Sequence, residues 1–238
     1  MQLFYASEIY DTYVVLSEDE SRHCIKVLRK STGDRVEVID GKGNLFEGVL
    51  EIENKNKPAK VYFQSKKYHE PEVFKSGFHL AIAPTKNADR MEWLLEKAIE
   101  MGLGSITFIQ CEHNERSNLR KDRLEKIAIS ALKQSLQYWL PSISMGISFK
   151  DYLDQIPTNT NAYIAHCQEG TKLEFGSEPI NNPCYMLIGP EGDFSTAEIT
   201  LALDRDLKPV SLGKSRLRTE TAGLYACGVY RQFMALSI

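Results

Sequence analysis

The chain has 238 residues, of which 42% are hydrophobic and 26% are charged, and its formal net charge is −3. These values are typical of a globular protein in water with one large or two modest domains. They exclude a protein that is basic throughout, so any nucleic acid must be bound by local patches of positive charge. No apolar run approaches the roughly 18 residues that a membrane-spanning helix needs, and no signal peptide is visible at the N-terminus.

The five cysteines are scattered along the chain, and none forms a CxxC pair. The five histidines likewise show no spacing that is typical of metal ligands. This pattern predicts reduced thiols, a cytoplasmic location and a protein that needs no metal.

Residues 1–70 are expected to form one small β-barrel with one helix. Short runs rich in β-branched and aromatic residues, Val36–Ile39, 44–52 and 60–64, are separated by turn sequences. Ser17 and Glu20 have the spacing of a capping box and predict the start of a helix. The aromatic side chains of this region are expected in the core; they are Phe4, Tyr5, Tyr10 and Tyr13.

Residues 71–238 alternate between strand and helix patterns, which predicts an α/β domain with a mostly parallel sheet covered by helices. The predicted strands are 78–83, 105–110, 162–167, 184–188 and 209–212. The predicted helices are 87–101, 122–138, one that begins at a capping box at Ser195, and 220–236.

Two glycine-containing loops are the most informative feature of this second domain. The first follows an apolar strand at Leu187–Ser195, and the second runs from Ser211 to Ala222. Each passes from a strand into a helix, where backbone can approach a flat polar ligand closely. Neither is a GxGxxG or Walker A sequence, so a phosphate cradle of the common type is not expected. The first loop is equally compatible with a plain strand-to-helix turn.

Arg216 and Arg218 come directly before the last predicted helix. A cation there is unfavourable by roughly 0.3–1 kcal/mol because the N-terminus of a helix is already positive. An anion should therefore meet these arginines: either Glu220 within the chain, or a phosphate or developing negative charge on a substrate. Thr219 is expected to cap the helix.

Basic side chains also cluster on the early helix. Arg22, Lys26 and either Arg29 or Lys30 would share one face, which is either a solvated surface or a patch that follows phosphates.

The two loops, with Leu-Ile-Gly-Pro-Glu-Gly followed by Leu-Gly-x-x-x-Leu-Arg-Thr-Glu-Thr-Ala, resemble the ribosomal small subunit methyltransferase E family of the SPOUT superfamily. The resemblance extends over nearly the whole chain. His23–Arg29 is similar to the family's N-terminal PUA-like barrel, and Lys86 with 96–102 is similar to the first helix of its catalytic domain. Residues 115–117 and 133–135 fit as well.

The resemblance implies an S-adenosylmethionine-dependent enzyme that methylates N3 of a uridine in 16S ribosomal RNA, on the small ribosomal subunit. It also implies a homodimer and a C-terminal trefoil knot, an exception to the rule that chains do not thread their own loops. The implied cofactor-binding residues are Leu187, Ile188, Gly189, Pro190, Glu191, Gly192, Ser211, Leu212, Gly213, Leu217, Thr221 and Ala222. The candidate RNA-binding residues are Arg22, Lys26, Arg29, Lys30, Lys86, Arg116 and Arg216. Arg218 would stabilise negative charge on the base, and Glu220 would orient Arg218 or accept the proton.

The chain departs from the family pattern at three places. Asp193 replaces a glycine, Arg216 replaces an aliphatic residue, and Gln137 stands near a position where the family has an arginine. Alternative functions are a non-catalytic RNA-binding or ribosome-assembly module, and a SPOUT enzyme that methylates another RNA position. A pseudouridine synthase is a third alternative, but no motif supports it.

Overall fold

The computed structural model describes residues 2–54, 57–71, 77–115 and 117–236. These residues form two compact units. One contains the chain up to Pro71 together with Ile129–Leu140, and the other contains the remainder.

The first unit is a small β-barrel, as predicted, and it is closed by five strands, of which the first two lie outside the predicted runs. Its strands are β1 (Leu3–Ile9), β2 (Tyr13–Leu16), β3 (Arg35–Ile39), β4 (Asn44–Glu51) and β5 (Lys60–Tyr68), and they close in the order β1-β2-β5-β4-β3. Only the β1–β3 pair is parallel among the described strand pairs of the barrel. Buried and partly buried residues alternate along β4, as expected for a strand with one face in a core.

The aromatic residues of the barrel divide between core and surface. Phe4 is buried in the barrel core, together with Val14, Leu16 and Phe46. Tyr10 is 45% exposed, so the prediction that it lies in the core is wrong. It follows the last residue of β1, and its ring stacks on that of Tyr13 at the barrel surface.

The early helix is shorter than predicted. Helix α1 (Glu18–Arg22) passes into a π-helical turn at His23–Val27, and Arg29 lies beyond it with a φ of 55°. The Ser17 hydroxyl accepts the backbone N–H of Glu20. Among the described residues, the Glu20 carboxylate does not accept the backbone N–H of Ser17 in return. It accepts the N–H of Tyr5 instead and pairs with Lys133, so only half of the predicted capping box forms.

The segment Ile129–Leu140 packs with the barrel, although the sequence pattern places it in the second domain. Helix α3 (Lys121–Gln134) ends four residues before the predicted end. Leu132 is fully buried in a cluster with Leu3, Ile39 and Leu45, and the Trp139 indole N–H donates to the carbonyl of His69 at 2.7 Å. Gln137 is 5% exposed, so it is not a surface residue for RNA. The domain division at residue 70 otherwise stays a prediction.

The second unit is built on a seven-stranded sheet in the described part of the chain. The strands are β6 (Phe78–Ile82), β7 (Ser105–Gln110), β8 (Ser142–Ser148), β9 (Asn161–Ala165), β10 (Leu173–Glu174), β11 (Cys184–Ile188) and β12 (Lys208–Ser211), in the order β10-β12-β9-β11-β6-β7-β8. Every described pair is parallel, as predicted. The helices are α2 (Ala88–Glu100), the first part of α3, α4 (Phe149–Gln155), α5 (Thr196–Leu203) and α6 (Thr219–Leu236).

Helices cover both faces of this sheet. Ala81, Ile164 and Leu187 share a buried cluster with residues of α4 and α5. On the other face, the position of a Cβ at Gly223 of α6 would lie within 3.4 Å of Ile82 and Leu80. Successive residues of β6 therefore face different helix layers, which explains why the central strands are apolar without alternation. The capping box at Ser195 forms in full at the start of α5.

Candidate functional site

Four neighbouring strands end at one edge of the parallel sheet, and their loops form the candidate site. In the order β12-β9-β11-β6 these strands are directly paired, so the loops that follow them lie side by side. The N–H of Ala83, directly after β6, donates to the carbonyl of Ile188 at 3.0 Å. The edge therefore brings together both glycine loops that the sequence singles out.

The loop after β11 is a tight turn. The N–H of Asp193 donates to the carbonyl of Pro190 at 2.9 Å, which closes a turn with Glu191 and Gly192 exposed at its tip. Gly189 is buried, and a Cβ there would lie 3.0 Å from the ring of Phe194. The remaining predicted cofactor residues of this loop are buried; they are Leu187, Ile188 and Pro190. A side chain at position 189 would therefore fit only if Phe194 shifted by a few tenths of an ångström.

The loop after β12 also turns on a glycine. Gly213 has a φ of 101°, a conformation that only glycine adopts easily, and its N–H donates to the Ser211 hydroxyl at 3.2 Å. Predicted residues in this loop that are partly exposed are Ser211, Leu212, Gly213 and Leu217. Ala222 is buried and Thr221 is exposed within the first turns of α6.

A side-chain hydrogen bond joins the two loops. The Thr219 hydroxyl donates to the carbonyl of Gly189 at 3.3 Å, so Thr219 does not cap its own helix as predicted. Helix α6 starts at Thr219, and the carbonyl of Arg218 accepts the N–H of Ala222. The first turn of α6 is thereby fixed against the turn after β11.

Asp193 holds a conformation that explains the departure from the family pattern. Its φ is 66°, a region that glycine adopts freely and aspartate tolerates. Its carboxylate accepts the N–H of Cys167 at 2.8 Å and that of Phe194 at 2.9 Å. The aspartate therefore ties the loop after β9 to the loop after β11, which a glycine could not do.

Glu220 is paired with an arginine that sequence reasoning does not single out. The residue is 6% exposed, and one carboxylate oxygen, Oε1, lies 3.8 Å from Nε of Arg90 in the first turn of α2. Nη1 of the same arginine donates to Glu191 at 3.0 Å. The predicted contact of Glu220 with Arg218 is not found among the described residues. The sequence does carry a signal for this pair, because a cation is unfavourable in the first turn of a helix, as at Arg90, just as it is directly before a helix, as at Arg218.

Two buried polar groups at this edge have no hydrogen-bond partner in the described part of the chain. They are Oε2 of Glu220 and both ring nitrogens of His166, which follows β9. Burial lowers the pKa of His166, and the nearby Lys172 lowers it further while Asp193 opposes this. The imidazole is therefore neutral at pH 7, and its two nitrogens supply one donor and one acceptor.

The predicted cationic residues of this unit are exposed. Lys86, Arg216 and Arg218 form no ion pair within the described ranges, so their charges face solvent. In the barrel unit, Arg22, Lys26 and Arg29 are exposed and Lys30 is partly buried. Arg22 lies 3.8 Å from Asp19. Arg116 lies outside the described residues.

Comparisons with known proteins identify the class of this fold and site. A family model described as "RNA methyltransferase domain" matches residues 74–231, and one described as "RNA methyltransferase PUA domain" matches residues 16–61. The chain therefore belongs to the RNA methyltransferase family.

Relatives with similar sequences and structures match this chain over nearly its full length. A solved structure of a probable rRNA-methyltransferase from Porphyromonas gingivalis has a TM-score of 0.92 and 38% identity, and the match covers 100% of both chains. A ribosomal RNA small subunit methyltransferase E from Neisseria gonorrhoeae, solved with S-adenosyl methionine bound, has a TM-score of 0.80 and 27% identity over 98% of this chain and 97% of that chain. The ribosomal RNA small subunit methyltransferase E of Mesomycoplasma hyopneumoniae is 28% identical over 94% of this chain and 96% of its own length.

The described residues contain no helix that is long and apolar enough to cross a membrane. They also contain no group of three or more His, Cys, Asp or Glu side chains that could hold a metal ion.

The contacts and backbone conformation of Asp193 predict how three substitutions at this position rank by their effect on the free energy of unfolding. Asp193→Asn keeps the tolerated backbone conformation and one acceptor, so it should be the mildest change. Asp193→Gly should lower the free energy of unfolding by about 1–3 kcal/mol, because the hydrogen bonds of the carboxylate are removed. Asp193→Ala should cost about 1 kcal/mol more, because alanine is strained at positive φ. Urea unfolding followed by circular dichroism measures all three.

Asp206 is a matched control, because its φ is 62° and its exposed carboxylate forms no hydrogen bond within the described residues. Asp206→Gly should leave stability nearly unchanged. If Asp206→Gly lowered the free energy of unfolding as much as Asp193→Gly does, the Asp193 carboxylate would contribute nothing to stability.

Proposed function

We propose that this protein is an S-adenosylmethionine-dependent methyltransferase that acts on N3 of a uridine in 16S ribosomal RNA. The observation that carries the proposal is the joined pair of glycine loops, with buried Glu220 and exposed Arg218 at the start of α6. The likeness to ribosomal RNA small subunit methyltransferase E proteins along nearly the whole chain supports the choice of substrate.

The residues at the sheet edge fit S-adenosylmethionine. This cofactor carries an α-ammonium group, an adenine amino group and ribose hydroxyls, all of which donate hydrogen bonds. Oε2 of Glu220 and one nitrogen of His166 are buried acceptors without a partner among the described residues. Leu212, Leu217 and the turn at Gly189 offer apolar surface and close backbone approach. These residues would hold the cofactor, which supplies a methyl group activated on a sulfonium.

The chain must also favour the deprotonated uridine. N3 must lose its proton to solvent before it takes the methyl group, and the resulting negative charge spreads over the imide oxygens. Arg218 is exposed at the edge and forms no ion pair within the described residues, so its guanidinium is available to stabilise that charge. Its position at the start of α6 adds the positive end of the helix dipole to the same place.

Glu220 is held by Arg90, which leaves Oε2 as the acceptor for an N–H of the bound ligand. The sequence predicts that Glu220 orients Arg218, but the structure gives it a different partner. Its task in the proposed reaction is therefore to accept a hydrogen bond.

Recognition of RNA would use both units. Arg22, Lys26, Arg29 and Lys30 lie on the barrel, and Lys86 and Arg216 lie at the sheet edge. Because the net charge is −3, these patches alone give weak attraction to phosphate. The proposed substrate is therefore folded RNA in an assembled small subunit, and the proposed location is the cytoplasm.

Two further features of the proposal follow from the family resemblance. We propose that the chain threads a trefoil knot around the joined loops, and that two copies form a homodimer. Light scattering in solution tests the second point, which a mass of one chain would contradict.

The direct test is to incubate the protein with small subunits that lack the modification and with labelled S-adenosylmethionine, and then to map the methyl group by nucleoside mass spectrometry. A 3-methyluridine in 16S RNA is the expected product. Methylation of a ribose or of another base would establish a different SPOUT activity, and absence of both cofactor binding and transfer would establish a non-catalytic RNA-binding module. Efficient methylation of a short naked oligonucleotide would refute the requirement for an assembled subunit.

Arg218→Ala should lower the single-turnover rate of methyl transfer by about 10²–10³-fold, because a preorganised charge donor is removed. The affinity for S-adenosylmethionine, measured by calorimetry, should change little. Arg205→Gln is the control, since Arg205 lies beyond the C-terminal end of α5, whose N-terminus adjoins the loop after β11, and pairs with Asp154. A rate for Arg218→Ala equal to that of the control would remove Arg218 from the mechanism.

The double variant Lys26→Gln, Arg29→Gln should weaken binding to small-subunit RNA at low salt. The slope of log K against log salt should fall by about 1 for each phosphate that the variant no longer neutralises. Lys42→Gln is a suitable control, because Lys42 is exposed on the same unit and has no ion pair among the described residues. Equal slopes for the double variant and the wild type would show that this patch does not touch phosphate.

A further inference from the structure

Arg90 connects the two glycine loops through their carboxylates. Its Nη1 donates to Glu191 at 3.0 Å, in the turn after β11, and its Nε lies 3.8 Å from Glu220, in the first turn of α6. Arg90 itself lies in the first turn of α2, which follows β6. One guanidinium from α2 therefore contacts groups from two other segments that form the candidate site.

The two carboxylates differ in how strongly Arg90 stabilises their negative charge. Glu191 is exposed, so its pair with Arg90 is a surface ion pair that water and salt largely screen. Glu220 is 6% exposed, and a buried carboxylate requires a counter-charge and hydrogen bonds. Within the described residues, Arg90 is the cation that lies against it. Glu191 therefore adds a weak second contact to the guanidinium, whereas Glu220 depends on the guanidinium as its counter-charge.

The geometry leaves one oxygen of Glu220 unused. Oε1 faces Arg90, whereas Oε2 is buried and has no hydrogen-bond partner in the described part of the chain. An unsatisfied buried acceptor in a native site needs an explanation, and a donor on a bound ligand supplies one. The N–H donors that the proposed reaction brings to this edge are the α-ammonium and adenine amino groups of the cofactor and the imide N–H of the uridine.

We propose that Arg90 is a positioning residue: it holds Glu220 so that Oε2 accepts a hydrogen bond from an N–H of the bound ligand. This inference rests on the proposed function. Arginine suits the task because its planar fork contacts two carboxylates at once, whereas lysine offers a single point charge on a flexible stem.

The experiment compares Arg90→Met, Arg90→Lys and wild type, with Arg205→Gln as the control. Arg205 has a side chain of similar exposure to that of Arg90, and its one carboxylate partner, Asp154, belongs to neither glycine loop. For each protein, calorimetry gives the Kd of S-adenosylmethionine, and steady-state methylation of unmodified small subunits gives kcat and KM. Circular dichroism establishes that each variant is folded.

Arg90→Met should lose about 10–100-fold in methyl transfer or in cofactor affinity, with the KM for the small subunit unchanged within about threefold. A loss confined to kcat assigns the Oε2 donor to the uridine, and a weaker Kd assigns it to the cofactor. Arg90→Lys should recover part of the loss. In a Glu220→Gln background, Arg90→Met should add little, because both changes disrupt one unit.

Arg90→Met with the kcat, KM and Kd of the Arg205→Gln control would overturn the inference. Fully additive effects of Arg90→Met and Glu220→Gln would overturn it as well. If Arg90→Met does not fold, Arg90→Lys and the Glu191→Gln variant carry the same comparison. A wild-type protein that binds the cofactor but methylates no subunit would refute the proposed function instead, so the two failures are distinguishable.

Discussion

Parallel pairing of β12, β9, β11 and β6 is the constraint on which the candidate site depends. Because these strands run in one direction, their loops meet at one edge, and residues 101 positions apart, Arg90 and Glu191, come within hydrogen-bond distance. The group at that edge that most requires a counter-charge is the buried carboxylate of Glu220. Removing the partner of a buried ion pair typically costs about 3–5 kcal/mol, whereas an exposed pair contributes about 0–1 kcal/mol. The local arrangement is therefore organised around Glu220, with Arg90 and the positive end of α6 as its counter-charges.

Local signals in the sequence predict the barrel, five strands of the parallel sheet and the positions of both glycine loops, but they do not predict β8, β10 or α4. The apolar strand at Cys184–Ile188 and the capping box at Ser195 each depend on neighbours within a few residues, so pattern alone identifies them. Contacts between distant segments are not accessible in this way. Glu20 has the spacing of a capping residue, yet its carboxylate is taken by Tyr5 and Lys133, and Thr219 donates to Gly189 rather than to its own helix. In each case a tertiary partner competes with a local one and wins.

Asp193 shows how a departure from a family pattern can preserve the backbone and add a contact. The turn requires a residue that accepts positive φ, a condition that glycine meets without strain and that aspartate meets at small cost. The aspartate offsets that cost through two backbone N–H groups, one of them on the neighbouring loop after β9. Aspartate at this position is less flexible than glycine, but its carboxylate fixes the distance between two loops that would surround the cofactor.

The charge distribution is consistent with an enzyme that selects its RNA by shape. Long-range attraction to phosphate is weak in a chain of net charge −3, so non-specific RNA should be held poorly. The exposed cations instead lie in small groups, on the barrel near Lys26 and at the sheet edge near Arg218. If these groups bind RNA as proposed, each is too small to bind strongly by itself. A folded ribosomal subunit offers a rigid RNA surface, whereas a flexible strand must first lose the conformational entropy that ordering costs. In the proposed reaction, selection of the target uridine thus depends on the fit between the protein and the folded RNA surface. Arg218 then acts only on a base that this fit has already placed at the edge of the sheet.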